Sequence, residues 1–250
     1  MEEKPGKSHR FYRYHHQSKS GWFSFQTKYR ETDLWIRAQK DLRDEATDIV
    51  LNLRYQLDQY ISRTPRFLKS LTPLPDDPSA PELIRKMLQA SNVAGVGPMA
   101  AVAGAIAQAV AADLKALHSA IIVENGGDCS LDLQEEATVG IYVEPTSPFS
   151  GKIALRFAAD RFPLSICTSS GRIGHSLSFG KADAVTVIAA DGAFADAAAT
   201  ALANLVRTPA DIRKALETAP AIPSIQGVLI MIRDKMGIWG DIELVPPSSA

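Results

Sequence analysis

Asp196 and Thr200 lie four residues apart in an alanine-rich stretch. On a helix that spacing turns both side chains to one face. A carboxylate beside a neutral hydroxyl suits Mg²⁺, which keeps several waters and takes one or two protein carboxylates plus substrate phosphate. The same pair also suits a first-turn acid favouring the helix dipole, with a threonine packed in the core. Thr168-Ser169-Ser170-Gly171 leaves an apolar run. Consecutive N–H groups and three hydroxyls there can form an anion nest, or simply a turn. His175 follows a few residues later and is the candidate general base, because an imidazole titrates near neutrality. Cys167 precedes the hydroxyl-rich turn, where nest dipoles would lower a thiol pKa and make it the alternative catalytic group. Buried, it would be a small hydrophobe instead.

Two further glycine turns bear on ligand binding. Asn125-Gly126-Gly127-Asp128 permits positive φ and close approach of backbone to a ligand, and equally a tight hairpin. Gly95-Val96-Gly97-Pro98-Met99-Ala100 opens a helix whose free N–H groups can face a phosphate, with Gly97 at the turn. It is neither a dinucleotide fingerprint, since the next glycine is Gly104, nor a P-loop, since no Gly-Lys-Ser/Thr follows.

The elements that must position these residues follow from periodicity. Phe11–His16 and Trp22–Tyr29 read as strands about a turn at Ser20-Gly21, and Asp33–Ala38 as a third. A helix is predicted from Lys40 to Arg63, carrying Leu42, Ala46, Ile49, Val50, Leu53, Leu57, Tyr60 and Ile61 at helical spacing and ending at Thr64-Pro65. Residues 70–82 form a proline-rich loop, and residues 1–9 are polar and expected to be disordered. Helices are predicted over Pro81–Ala90, from Pro98 to Leu117, over Ala193–Val206 and over Ala210–Glu217. Strands are predicted over Ala120–Glu124, near 129–133, 138–144 and 152–158, over Leu164–Cys167 and Ala184–Ala190, and near 228–232 and 241–245. Segments 101–114 and 193–206 overlay with alanines in step, a hint of internal duplication with a cleft between two halves.

Composition sets outer bounds. The hydrophobic share is 46%, ample for a core, in one domain spanning residues 1–250. The net charge of -1, from 27 basic and 28 acidic side chains, gives no electrostatic footprint for nucleic acid. Two cysteines, Cys129 and Cys167, fit a reducing compartment, and the polar N-terminus lacks a secretory signal, so a soluble cytoplasmic protein is expected. Val93–Ala112 carries no charge, yet it is mostly alanine and glycine and includes Pro98 and Gln108. Such residues gain little from lipid, so a buried helix is expected rather than a membrane span.

Taken together and in order, several segments resemble the ApbE-like superfamily, and in particular a shorter branch of it. They are Thr32-Asp33-Leu34-Trp35-Ile36, Val96-Gly97-Pro98-Met99-Ala100, Glu124-Asn125-Gly126-Gly127-Asp128, Cys167-Thr168-Ser169-Ser170-Gly171, Gly174 to Asp183, and Ala195-Asp196-Ala197-Ala198-Ala199-Thr200-Ala201. The superfamily's FAD:protein FMN transferases are magnesium-dependent flavin-transfer enzymes. Their Asp-Ala-x-x-Thr-Ala pattern supplies Asp and Thr ligands to Mg²⁺, which implies that role for Asp196 and Thr200. Their His-x-x-x-Pro-x-Thr-Gly segment corresponds to His175-Ser176-Leu177-Ser178-Phe179-Gly180, where the histidine is kept and the Pro and Thr-Gly are not. Their helix-opening Lys-Gly pair has no lysine counterpart near Gly104.

The resemblance implies an α+β fold: a single ApbE-like domain of mixed or antiparallel sheets with packed Ala-rich helices. It implies a phosphate-containing small-molecule ligand, such as FAD, FMN or another nucleotide diphosphate, held with Mg²⁺ at a Gly/Ser-rich cleft, and a transferase activity. Gly97, Asn125, Gly126, Gly127, Asp128, Thr168, Ser169, Ser170 and Gly171 are the expected ligand-binding residues. No nucleic acid or membrane partner is expected, and a homodimer is the candidate assembly. Two other readings stay open: a partner in sulfur assimilation into homocysteine, which the branch's associations imply and which would use Cys167, and a binding scaffold without catalysis.

Overall fold

The computed structural model of the chain describes residues 21–116, 119–171 and 180–247. The expectations for residues 1–9, for strand Phe11–His16, and for the segment carrying His175 lie outside the described residues.

Strands β1 (Phe23–Tyr29) and β2 (Thr32–Ala38) form an antiparallel hairpin. Alternation in β2 puts Leu34, Ile36 and Ala38 in the core. Helix α1 (Arg43–Arg63) lays Ala46, Val50, Leu53 and Leu57 against this layer. It begins three residues later than predicted. The Asp41 carboxylate accepts the Arg43 N–H at 3.2 Å and holds the preceding residues in a turn. A short helix α2 (Arg66–Lys69) follows, and then an irregular stretch at the expected proline-rich loop.

Helix α3 (Glu82–Ala94) runs four residues past its predicted end and stops at Gly95, whose φ of 72° is the left-handed cap. A 3₁₀ turn, Pro98–Ala101, leads into α4 (Val102–Lys115). The chain bends by 106° between α3 and the Pro98–Lys115 segment, and no single described helix is long and apolar enough to cross a membrane. Helix α4 is instead packed against other elements, with Ala105, Ile106, Ala107, Val110, Ala111 and Leu114 buried.

The main sheet has eight strands in the order β1-β2-β3-β4-β7-β8-β9-β10, with every neighbouring pair antiparallel. Its remaining strands are β3 (Ile121–Asn125), β4 (Asp128–Asp132), β7 (Leu164–Ser169), β8 (Ala184–Ala189), β9 (Ile225–Ile232) and β10 (Lys235–Gly240). A second sheet of three strands has the order β11-β6-β5, made of β5 (Ala137–Gly140), β6 (Ala154–Phe157) and β11 (Glu243–Val245). Helices cover one face of the main sheet. The small sheet covers the other, through a cluster that joins Leu131, Ile166, Ile188 and Leu229 to Leu155, Phe157 and Leu244. Strand β8 is buried at all six positions, which explains why Thr186 is its one polar residue. Strand β10 was not predicted: two glycines interrupt its alternation.

Helices α5 (Gly192–Leu205) and α6 (Asp211–Thr218) connect β8 to β9. The chain therefore repeats one topology. The β1-β2 and β3-β4 hairpins flank α4, and the β7-β8 and β9-β10 hairpins flank α5. Where α4 and α5 cross, a side chain on Gly104 would lie 2.1 Å from the Gly192 carbonyl oxygen, and one on Gly192 would lie 2.6 Å from that of Gly104. Only glycine permits this approach. The two helices also cap each other. Gln108 of α4 accepts the Gly192 N–H at 2.8 Å, and Asp196 of α5 accepts N–H groups at the start of α4.

Candidate functional site

Four hairpin connections of the main sheet lie at one of its ends: β1-β2, β3-β4, β7-β8 and β9-β10. The β3-β4 connection is the two-residue turn Gly126-Gly127, with φ of 70° and 110°. Positive φ at both central positions matches the right-handed strand twist and excludes most side chains. The turn places Glu124, Asn125 and Asp128 together, and all three are buried. Glu124 Oε1 accepts the Gly127 N–H at 2.9 Å, a contact that sequence reading missed. Asn125 Nδ2 donates to the Ala103 carbonyl at 3.1 Å, tying the turn to the start of α4.

Asp196 meets the same helix start. Its Oδ2 accepts N–H groups of Ala103 at 3.1 Å and Gly104 at 3.0 Å. Helix α4 was expected to offer these donors to a ligand phosphate. The protein's own carboxylate takes them instead, which corrects that expectation. Gly97, also expected to bind ligand, has a packing role. A Cβ there would lie 1.9 Å from the Ser70 carbonyl oxygen, so close packing against the α2 end requires this glycine.

Strand β7 runs two residues further than predicted, because Thr168 and Ser169 pair with Thr186 and Val185 of β8. The expected nest over Thr168–Gly171 is reduced accordingly. The Thr168 N–H donates to Asp128 Oδ1 at 3.1 Å, the Gly171 N–H donates to the Ala182 carbonyl at 3.0 Å, and the Thr168 hydroxyl bonds that of Thr186 at 2.9 Å. The Ser169 hydroxyl is buried without a hydrogen-bond partner among the described residues. Ser170 and Gly171 follow at the strand's end.

The electrostatics of the cluster are set by burial. Asp128 is pushed well above the usual carboxylate range by burial and then by the Asp196 charge, against the pull of the Thr168 N–H. Asp196 keeps some accessible surface, yet burial raises it to about 7 against the two α4 N–H groups. No lysine or arginine pairs with either acid among the described residues. Thr200, one turn beyond Asp196, is 4% exposed, and its hydroxyl also has no partner among the described residues. A buried hydroxyl without a partner costs about 1–3 kcal/mol, so its place calls for a ligand or water. Asp196, Thr200 and Asp128 are thus hard oxygen donors that fit a small divalent cation completed by water or phosphate oxygens. Among the described residues no group of three or more His, Cys, Asp or Glu could hold a metal, so protein carboxylates and imidazoles alone do not make a closed cage.

Cys167 lies under this cluster, fully buried, its Sγ 3.6 Å from the Gly192 carbonyl. Burial pushes its thiol well above the ordinary value, and the charges of Asp128 and Asp196 push it further. The sequence expectation of a lowered pKa is corrected: the cysteine faces carboxylates and a carbonyl oxygen, which disfavour a thiolate. The structure therefore brings together Asn125, Gly126, Gly127, Asp128, Cys167, Thr168 and Asp196. His175 lies outside the described residues.

The fold just described is that of solved proteins named flavin transferase ApbE. The flavinyl transferase ApbE of Pseudomonas stutzeri in its apo form matches with a TM-score of 0.58 at 15% identity, over 87% of this chain and 93% of that one. A mutant of the flavin transferase ApbE of Vibrio cholerae matches with a TM-score of 0.56 at 11% identity, over 87% of this chain and 96% of that one. The family model described as AbpE bacteria matches residues 13–227. Sequence relatives include UPF0280 protein MJ1526 of Methanocaldococcus jannaschii, 41% identical over 90% of this chain and 93% of that protein. UPF0280 protein MK0206 of Methanopyrus kandleri is 40% identical over 87% of this chain and 90% of that protein. The chain belongs to this AbpE bacteria family.

Proposed function

We propose that the chain binds FAD or another nucleotide diphosphate together with Mg²⁺ at the β3-β4 hairpin end and acts as a flavin or nucleotidyl transferase. The observation that carries this reading is the facing of two acids, Asp128 and Asp196, with no cationic partner among the described residues, and the Thr200 hydroxyl, likewise unpartnered among them, one helical turn from Asp196. Asp196, Thr200 and Asp128 would hold the cation, which would offset diphosphate charge and polarise a phosphoryl oxygen. The Ser169 hydroxyl and the Gly126-Gly127 backbone are the nearby groups suited to phosphate oxygens. The names of the solved neighbours support a flavin as the substrate being transferred, not as a resident cofactor. His175 is the base proposed from sequence, accepting a proton from an incoming hydroxyl.

Equilibrium dialysis with FAD, with and without Mg²⁺, tests the proposal. Binding that needs Mg²⁺ and disappears in Asp196→Ala is expected. Absence of FAD binding in the wild type, or binding equal in Asp196→Ala, counts against it. A second expected outcome separates binding from chemistry: His175→Ala keeps Mg²⁺-dependent FAD binding and loses transfer to a hydroxyl acceptor.

A further inference from the structure

A cavity of about 120 Å³ opens between the β5-β6 connection and the β9-β10 turn, lined by Glu144, Thr146, Ser147, Pro148, Asp183 and Arg233. It shares no residue with the acidic cluster around Asp128 and Asp196. Asp183 lies just before β8, two strands along from β4 and at the same end of the sheet. Both walls are held by bonds within the protein. Arg233 has a φ of 56°, a left-handed conformation uncommon outside glycine, and its N–H donates to Asp183 Oδ2 at 2.7 Å. The Asp183 N–H donates in turn to the Met231 carbonyl at 2.8 Å. On the facing wall the Ser147 N–H donates to the Glu144 carbonyl at 2.9 Å, and Ser147 Oγ accepts the Phe149 N–H at 3.3 Å. The lining backbone is thus set before a ligand arrives, which lowers the ordering cost of binding.

Apart from Pro148 the lining side chains are polar, and their charges are of both signs. No ion pair engages the Arg233 guanidinium among the described residues. Glu144 and Asp183 have protein partners. A carboxylate offers about four lone-pair positions, so each can accept a further donor. Size narrows the ligand further. A cavity of about 150 Å³ holds benzene, so this one takes a molecule of about six non-hydrogen atoms. A nucleotide needs several times that space.

We propose that this pocket binds a small zwitterion, an α-amino acid between glycine and serine in size. Its ammonium group would donate to Glu144 and Asp183, and its carboxylate would accept from the Arg233 guanidinium, a pairing whose geometry is bidentate. A simple anion would meet two carboxylates here, and a simple cation a guanidinium. A molecule carrying both charges satisfies both walls. The site stands whether or not FAD binds at the acidic cluster.

Isothermal titration of metal-free, FAD-free full chain with glycine, L-alanine and L-serine tests this. At least one is expected to bind with a Kd of about 1 mM. Acetate and methylammonium, each carrying half of the charge pattern, are expected to bind at least about tenfold more weakly, and Arg233→Gln and Glu144→Gln are each expected to weaken the amino acid by about tenfold or more. Amide shifts in the wild type locate the ligand without any substitution, and are expected at Thr146, Ser147, Arg233 and Asp234. Absence of binding by all three amino acids overturns the proposal. So does acetate or methylammonium binding as tightly as they do, folded variants that bind like the wild type, or shifts confined to residues away from this pocket.

Discussion

Asp196 illustrates how one side chain carries both a structural and a chemical load. It closes the N-terminus of α4 through two N–H groups, and its folded pKa of about 7 stands above the ordinary value of 3.8. The folded state therefore holds this proton more tightly than the unfolded chain does. Its contribution to stability is complete below the unfolded value and is lost as pH rises through about 7. Asp128, also raised, acts in the same direction. Metal-free protein is thus expected to lose stability as pH rises from about 4 to about 7, in thermal melts with a chelator present. Asp196→Asn should flatten that dependence and raise metal-free stability at pH 8 by roughly 1–2 kcal/mol, a figure discounted for the residue's partial accessibility. The cysteines offer a separate check at this scale. Cys129 is partly accessible and Cys167 is not, so alkylation of native protein followed by peptide mass spectrometry should label Cys129 first. The types of Asp196, Thr200 and Asp128 were legible in the sequence. That Asp128 faces Asp196, and that the α4 donors are already taken, was not. Both depend on contacts between residues some 40 to 90 positions apart in the chain.

Between elements, the decisive feature is the crossing of α4 and α5. Alanine along both helices lets them approach, and Gly104 and Gly192 let their backbones touch. Gly104→Ala would place a methyl 2.1 Å from the Gly192 oxygen and 2.9 Å from Asp196 Cβ. Relief requires the helices to separate. We expect a loss of about 2–3 kcal/mol in urea unfolding and weaker metal binding, because the Asp196 carboxylate moves with α5. Helices here were readable from period and composition, with ends displaced where a local bond intervened, as at Asp41 before α1. The hydroxyl-rich turn was read two residues early because Thr168 and Ser169 suit a strand as well as a loop, and only pairing with β8 decides between them. Strand β10 escaped notice because Gly237 and Gly240 mask its alternation, and its assignment rests on its neighbour β9.

For the molecule as a whole, repetition of a hairpin-helix-hairpin unit puts two helix starts back to back at the centre of one sheet. The alanine overlay between segments 101–114 and 193–206 pointed to that arrangement, though neither the shared sheet nor the mutual capping could be read from it. Acids gathered at such a junction favour a ligand that brings its own cation. FAD and Mg²⁺ together should therefore raise the melting temperature more than the sum of their separate effects, since each site component binds better with the other present. The most direct measurement is Mn²⁺ titration followed by electron paramagnetic resonance, with Mn²⁺ standing in for Mg²⁺. One bound Mn²⁺ per chain is expected, lost in both Asp128→Asn and Asp196→Asn while circular dichroism stays unchanged. A wild type that binds no Mn²⁺, or variants that bind it as the wild type does, would contradict the account.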